Sequence, residues 1–238
     1  MASLPQDRSA PTVLIVGASR GLGHAMADEF VKRGWNVIGT VRGGGRTMLH
    51  ALAENHPGSV EIETLDINAP DEIAALRSRL SGRALDILFV NAGVAPPDPD
   101  VLIGKVTDAD YMHVMRTNAL GPMRVIEALQ DLVPATGLIG AMSSGQGSLT
   151  NNEEGMREVY RGSKAALNMF MRSFAARERA APRAMVLMAP GWIRTYLGGP
   201  AAPFGMEEAV PAVVDVLIGQ LGKPGLRYLD RFGQTVPW

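Results

Sequence analysis

The chain contains no cysteine. Disulfides, thiolate metal sites and a cysteine nucleophile are thereby excluded, and the composition suits a reducing compartment such as the cytoplasm. Neither sign of charge dominates. Lysine and arginine total 23 against 24 for aspartate and glutamate, a net charge of −1, which gives no electrostatic reason to expect nucleic acid or an anionic membrane as partner. No apolar run approaches the roughly 20 residues of a membrane span. The opening "MASLPQDRSAP" lacks a basic segment followed by an apolar core, so it does not read as a signal peptide; residues 1–11 are expected to be a polar, mobile tail. The four histidines, His24, His50, His56 and His113, show neither HxH nor HExxH spacing, and no metal site is expected. There are no low-complexity stretches.

The chain does have apolar material, 46% of its 238 residues, arranged as short buried-looking runs alternating with amphipathic ones. "TVLIVGA" (12–18), 35–41, 59–67, 85–93, 137–144, 184–190 and 226–230 read as strands. Helical spacing marks 21–34, 70–80, 108–132, 156–179 and 206–221, with an adjustment expected near Gly121-Pro122. Seven strands alternating with helices predict one α/β domain over 12–238, a doubly wound, Rossmann-type parallel sheet with helices on both faces. Ligands of such sheets bind at the carboxyl ends of the strands, so those ends are where function is read.

The first strand ends in "GASRGLG". Gly17, Gly21 and Gly23, with Ser19, Arg20 and Leu22 between them, form a strand-to-helix turn that lets backbone and helix N–H groups approach a pyrophosphate. The second strand ends at Val41-Arg42, where an NAD site would carry an acid for the ribose 2′-hydroxyl. Each of Arg20 and Arg42 alone is an ordinary solvated loop residue. Together, with valine in place of the acid, they favour NADP(H) over NAD(H). Asp66-Ile67 end the third strand, where the carboxylate could bond an adenine amino group or only stabilise the turn before Pro70. Asn91, Ala92 and Gly93 end the fourth, and a plain turn would look the same.

Ser143-Ser144 end the fifth strand, and "YRGSK" follows at 160–164. In a helix, Tyr160 and Lys164 stand one turn apart on one face. An ammonium beside a phenol favours the phenolate, drawing the tyrosine down from ~10 and making it a usable acid or base. A Tyr-x-x-x-Lys pair on its own is ordinary. Its weight comes from the dinucleotide loop and serine before it and "PGWIRT" after it.

These motifs in this order, "GASRGLG", "LDI", "NAG", "RTNALGP", "SSGQG", "YRGSK" and "APGWIRT", resemble the short-chain dehydrogenase/reductase family over about 12–238, and most closely its carbonyl-reductase branch of C-factor and sniffer-like proteins. The resemblance implies a catalytic set of Asn118, which holds a relay water, Ser144, the proton donor Tyr160, and Lys164, which binds the nicotinamide ribose and tunes the tyrosine. It implies a cofactor trough that also includes Asp66, Ile67, Asn91, Ala92 and Gly93, with Pro190, Gly191, Ile193 and Thr195 passing the nicotinamide. Ser143 is expected to support the strand end.

The implied activity is NADP(H)-dependent reduction of an aldehyde or ketone to an alcohol. The alternatives are a dinucleotide-binding signalling protein of low turnover and an NAD-linked alcohol dehydrogenase. A homodimer or homotetramer packed through the long helices is implied, with Met115, Met123, Met169 and Met171 available as a face or as ordinary core. Ser144 and Tyr160 are separated by an unusually long "NNEEGMRE" approach. Trp192, Tyr196, Leu197 and Phe204 are candidates for a pocket wall, core or subunit contact.

Overall fold

The structure, a computed structural model, describes residues 10–180 and 183–238. The expected tail lies, in residues 1–9, outside the described residues; Pro11 is already tied in, its carbonyl accepting from the Asn36 N–H at 2.9 Å. Seven strands form one parallel sheet: β1 (Thr12–Val16), β2 (Asn36–Val41), β3 (Val60–Thr64), β4 (Ile87–Val90), β5 (Leu138–Met142), β6 (Ala184–Ala189) and β7 (Gly225–Asp230), in the order β3-β2-β1-β4-β5-β6-β7. The helices are α1 (Gly21–Lys32), α2 (Met48–Asn55), α3 (Pro70–Arg79), α4 (Asp108–Met115), α5 (Gly121–Leu129), α6 (Glu158–Arg177) and α7 (Met206–Gly219).

Side-chain alternation along the strands divides the core in two. Leu14, Val16, Leu88 and Val90 pack with Ile73, Leu76, Ile126, Leu129, Leu167 and Phe174 of α3, α5 and α6. Val13, Ile15, Val37 and Phe89 face the other way, onto Met26, Phe30, Leu49, Val213 and Leu217 of α1, α2 and α7. The central strands are buried on both faces, which is why they read as continuous apolar runs. Edge strand β3 instead carries Glu61 and Glu63, paired with Arg83 and Arg79 at 2.8 and 2.7 Å. Charges of this kind blunt an open sheet edge.

Two departures from the sequence reading matter, and one expected adjustment takes a definite form. Five of the seven strands stop one to three residues early at their carboxyl ends, because those residues turn out of the sheet to build the site, while β2 and β7 end where expected. Helix α2 was not expected: it starts after "GGGR" with a capping box in which His50 Nδ1, rather than a Glu or Gln, accepts from the Thr47 N–H at 3.0 Å. The expected helix 108–132 is interrupted just before Gly121-Pro122 by a wide π-type turn at Arg116–Leu120. There the Gly121 N–H reaches back five residues to the Arg116 carbonyl, and Pro122 has no N–H to offer the Asn118 carbonyl.

Candidate active site

Strand order reverses between β1 and β4, all strands remaining parallel, and the loops leaving those strands make one continuous trough. Gly17 has φ +90°, and a Cβ there would lie 2.9 Å from Ala92. Its N–H donates to Thr40 Oγ1 at 2.9 Å, and its carbonyl accepts from Asn91 Nδ2 at 2.9 Å. Gly23 sits directly above: a Cβ there would stand 2.1 Å from the Gly17 oxygen and 2.5 Å from Asn91 Nδ2. Asn91, expected to line the trough, fixes the loop from below. Thr40 shares that task, and its only sequence signal was a hydroxyl one residue before the end of β2. Helix α1 begins with no side chain capping it and no acid in its first turn, so its N–H groups are left for an anion. The residues fit a dinucleotide pyrophosphate.

Val41 is buried in the core, while Arg20 and Arg42 are exposed. Asp66 makes the turn that was the plainer reading: its Oδ1 accepts from the Asn68 N–H at 2.8 Å and its own N–H donates to Glu72 at 2.7 Å. Ile67 is buried against Gly121. Two recesses of about 400 and 360 Å³ lie away from this trough, beside Arg172 and Trp238 and on the β3–α3 edge. The trough itself is an open groove suited to an extended ligand.

Ser144, Tyr160 and Lys164 converge at one end of it. The Ser144 hydroxyl stands close enough to the Tyr160 phenol to pull its pKa down. Lys164 Nζ lies 5.8 Å from the Tyr160 ring centroid and donates to the Met142 carbonyl at 2.8 Å. Ser143 plays the supporting part: its hydroxyl donates to Asn168 Oδ1 at 2.6 Å, and Asn168 Nδ2 in turn holds the Gly147 carbonyl. The Tyr228 hydroxyl donates to the Ser144 carbonyl from beneath. Asn118 is fully buried, and its amide clamps Val94 by accepting from the N–H and donating to the carbonyl, both at 2.8 Å. It also donates to Ser163 Oγ at 3.0 Å. A Cβ on Gly93 would lie 3.4 Å from Asn118 Oδ1 and 3.5 Å from Lys164 Nζ, so the three sit around one point.

The expected depression of the tyrosine is absent in the chain alone. Burial pushes the Tyr160 phenol up to about 12, against smaller downward pulls from Ser144 and the Arg157 charge. Lys164 is itself pushed down to about 8 by burial. Desolvation, which both groups suffer, sets the direction of both shifts.

The lysine shift has a thermodynamic consequence. Below pH 8 both folded and unfolded chains hold the proton and the full penalty applies. Between about 8 and the ordinary 10.5 the unfolded chain binds more protons, so this group's contribution makes stability rise with pH. Charging the buried amine costs on the order of 3 kcal/mol. Lys164→Met should therefore stabilise the fold by roughly 1–2 kcal/mol at pH 7, net of the Met142 carbonyl that loses its donor. Denaturant unfolding at pH 7 and pH 10 checks this; a gain that fails to shrink at pH 10 would contradict it.

Beyond β6, Gly191 has φ +92°, and Arg231 packs where its Cβ would be, 2.4 Å from Nη1. Arg231 is buried between the rings of Phe204 and Phe232, at 3.7 and 4.4 Å from their centroids. It anchors the segment 192–205, a support not visible in the sequence. Ile193 is buried and pairs with Phe204. Thr195 Oγ1 accepts from the Gly198 N–H at 3.0 Å. Trp192, Tyr196 and Leu197 are exposed, so the core reading is wrong for all three. Tyr196 reaches across the trough, with the Arg20 guanidinium 5.2 Å from its ring. Of the four methionines, Met123 and Met171 are core and are unavailable for a subunit face; Met169 is exposed beside Phe170.

The fold and its trough are those of a nucleotide-binding α/β protein. The family described as short chain dehydrogenase matches residues 11–203. A solved structure described as a short-chain dehydrogenase/reductase of Burkholderia multivorans with bound NADP is 64% identical, with a TM-score of 0.95 over 96% of this chain and all of that one. A carbonyl reductase of Pseudomonas aeruginosa PAO1 in complex with NADP is 34% identical, with a TM-score of 0.89 over the same shares. C-signal of Myxococcus xanthus is 36% identical over 159 residues, 65% of this chain and 93% of that protein. The chain belongs to the short-chain dehydrogenase/reductase family and is an oxidoreductase of that family.

Proposed function

We propose that the protein reduces a carbonyl compound with NADPH, with Tyr160 as proton donor. The observation that carries this reading is the meeting of Ser144, Tyr160 and Lys164 at the end of a trough whose second strand ends in Arg42 rather than an acid. The bound dinucleotide supplies the hydride. Ser144 and the Tyr160 hydroxyl donate hydrogen bonds to the substrate oxygen, and Tyr160 gives up its proton as negative charge develops there. The desolvation that holds the phenol protonated at neutral pH suits a donor. Lys164, charged below about pH 8, stabilises the phenolate left behind. The Asn118 carbonyl, denied the usual i+4 N–H by Pro122, would hold the water that returns the proton.

NADP is bound in the Burkholderia and Pseudomonas relatives, which supports the same choice here, with Arg42 and Arg20 receiving the 2′-phosphate. Exposed Tyr111, Met112, Leu120, Met169 and Phe170 on α4–α5 and α6 suit a second copy of the chain, as a homodimer or homotetramer.

The test is nucleotide oxidation with a panel of aldehydes, ketones and quinones. Turnover with NADPH should exceed that with NADH, and Arg42→Ala should weaken NADPH at least tenfold while changing NADH little. Equal losses for the two cofactors would undo the NADP(H) assignment. The likeness to C-signal supports a second reading, a dinucleotide-binding signalling protein; tight NADPH binding without oxidation against the whole panel would favour it.

A further inference from the structure

Arg157 stands three residues before Tyr160 and is placed against every local stability rule. It is the residue preceding α6, in left-handed backbone at φ 53°, ψ 37°, and it follows Gly155 and Met156, also at positive φ, 69° and 59°. Residues with a Cβ rarely enter that region, and then at a cost. It offers no capping side chain and brings a positive charge to the positive end of the helix dipole. The "NNEEGMRE" approach, longer than the family pattern, ends in this turn.

The guanidinium is two-thirds covered, and three loops meet at it. Its Nε is 3.7 Å from Asp100 Oδ1, an ion pair too long for a hydrogen bond. Its Cζ is 5.8 Å from the Trp192 ring centroid. It makes no side-chain hydrogen bond among the described residues, although a guanidinium has five N–H donors. Its charge reaches the Tyr160 phenol. The neighbouring carboxylate of Glu158 is already engaged by the Ile103 N–H, and Glu153 and Glu154 are exposed. Its chain neighbour Met156 and the contacting Trp192 are both exposed apolar side chains.

We infer that Arg157 is a specificity-determining residue, and that the substrate is a carbonyl compound bearing a carboxylate, which the idle guanidinium fork takes in bidentate geometry. Asp100 is the internal competitor that holds the fork in place until the carboxylate arrives. This rests on the reductase reading for the identity of the reacting group, but the two are separable by experiment.

Binding of 4-(hydroxymethyl)benzoate and of its methyl ester to the NADP-loaded protein is measured by calorimetry. Reduction of 4-carboxybenzaldehyde and methyl 4-formylbenzoate is followed in parallel. The acid should bind at least tenfold more tightly than the ester. Arg157→Asn, in which asparagine tolerates the left-handed backbone, should lose that preference while melting at the same or a higher temperature. Asp100→Asn should increase the preference, whereas a mere loop latch would make the two variants behave alike. Equal binding of acid and ester, or a preference that survives Arg157→Asn, overturns the inference. Absence of turnover with both aldehydes bears on the reductase reading alone, since the binding comparison still decides the role of Arg157.

Discussion

Tyr160→Phe is expected to lower NADPH-dependent carbonyl reduction by about 10²–10⁴-fold, the usual worth of a positioned general acid, while the NADPH dissociation constant changes little. Phenylalanine keeps the ring and deletes only the hydroxyl proposed as proton donor. The glycine loop, Arg42 and Lys164 are untouched, so the proposed cofactor contacts are kept. Single-turnover rates and nucleotide fluorescence titration separate the two quantities. A protein whose business is binding would show no difference between wild type and variant. Turnover within a few-fold of wild type would remove Tyr160 from the chemistry and with it the proposed mechanism.

Gly23→Ala is the second large effect, and it acts on the opposite end of the trough. The new methyl would stand 2.1 Å from the Gly17 carbonyl oxygen and 2.5 Å from Asn91 Nδ2. Neither neighbour is the loose end of a flexible chain. The Gly17 carbonyl is held by Asn91, and the Gly17 N–H by Thr40, so relief requires moving the loop proposed to cradle the pyrophosphate. Overpacking of this kind costs about 1–3 kcal/mol, and the displaced N–H groups should weaken NADPH binding by roughly a hundredfold or more. Gly21 is the contrast: nothing lies within 4 Å of a Cβ there, and only its φ of +57° resists substitution, so Gly21→Ala should be milder on both counts. Calorimetric melting and nucleotide titration of the pair provide the check; normal NADPH affinity in Gly23→Ala would show that the loop tolerates what its geometry forbids.

The sequence made the sheet legible because its strands are buried on both faces and leave unbroken apolar runs, and because glycine, serine, tyrosine and lysine motifs keep their order along the chain. What it concealed was contact between distant segments. Nothing near Gly17 announces that Thr40 and Asn91 hold it, and nothing near Gly191 announces Arg231 some 40 residues later. Helix α2 escaped notice because its cap is closed by an imidazole after three glycines. The Tyr160–Lys164 spacing was read correctly as proximity, but its electrostatics were not. Spacing says how near two groups stand, whereas burial, which only the folded chain reveals, decided the direction of both shifts.

The wide turn at Arg116–Leu120 bears on the whole molecule through helical phase. It holds one residue more than a regular turn, so α5 leaves it about 100° out of step with α4. In the resulting phase, Val125, Ile126 and Leu129 of α5 face the core, while Tyr111 and Met112 of α4 face outward. A single surplus residue thus rotates one half of a rod against the other, and Asn118 lies within the very turn that absorbs the difference.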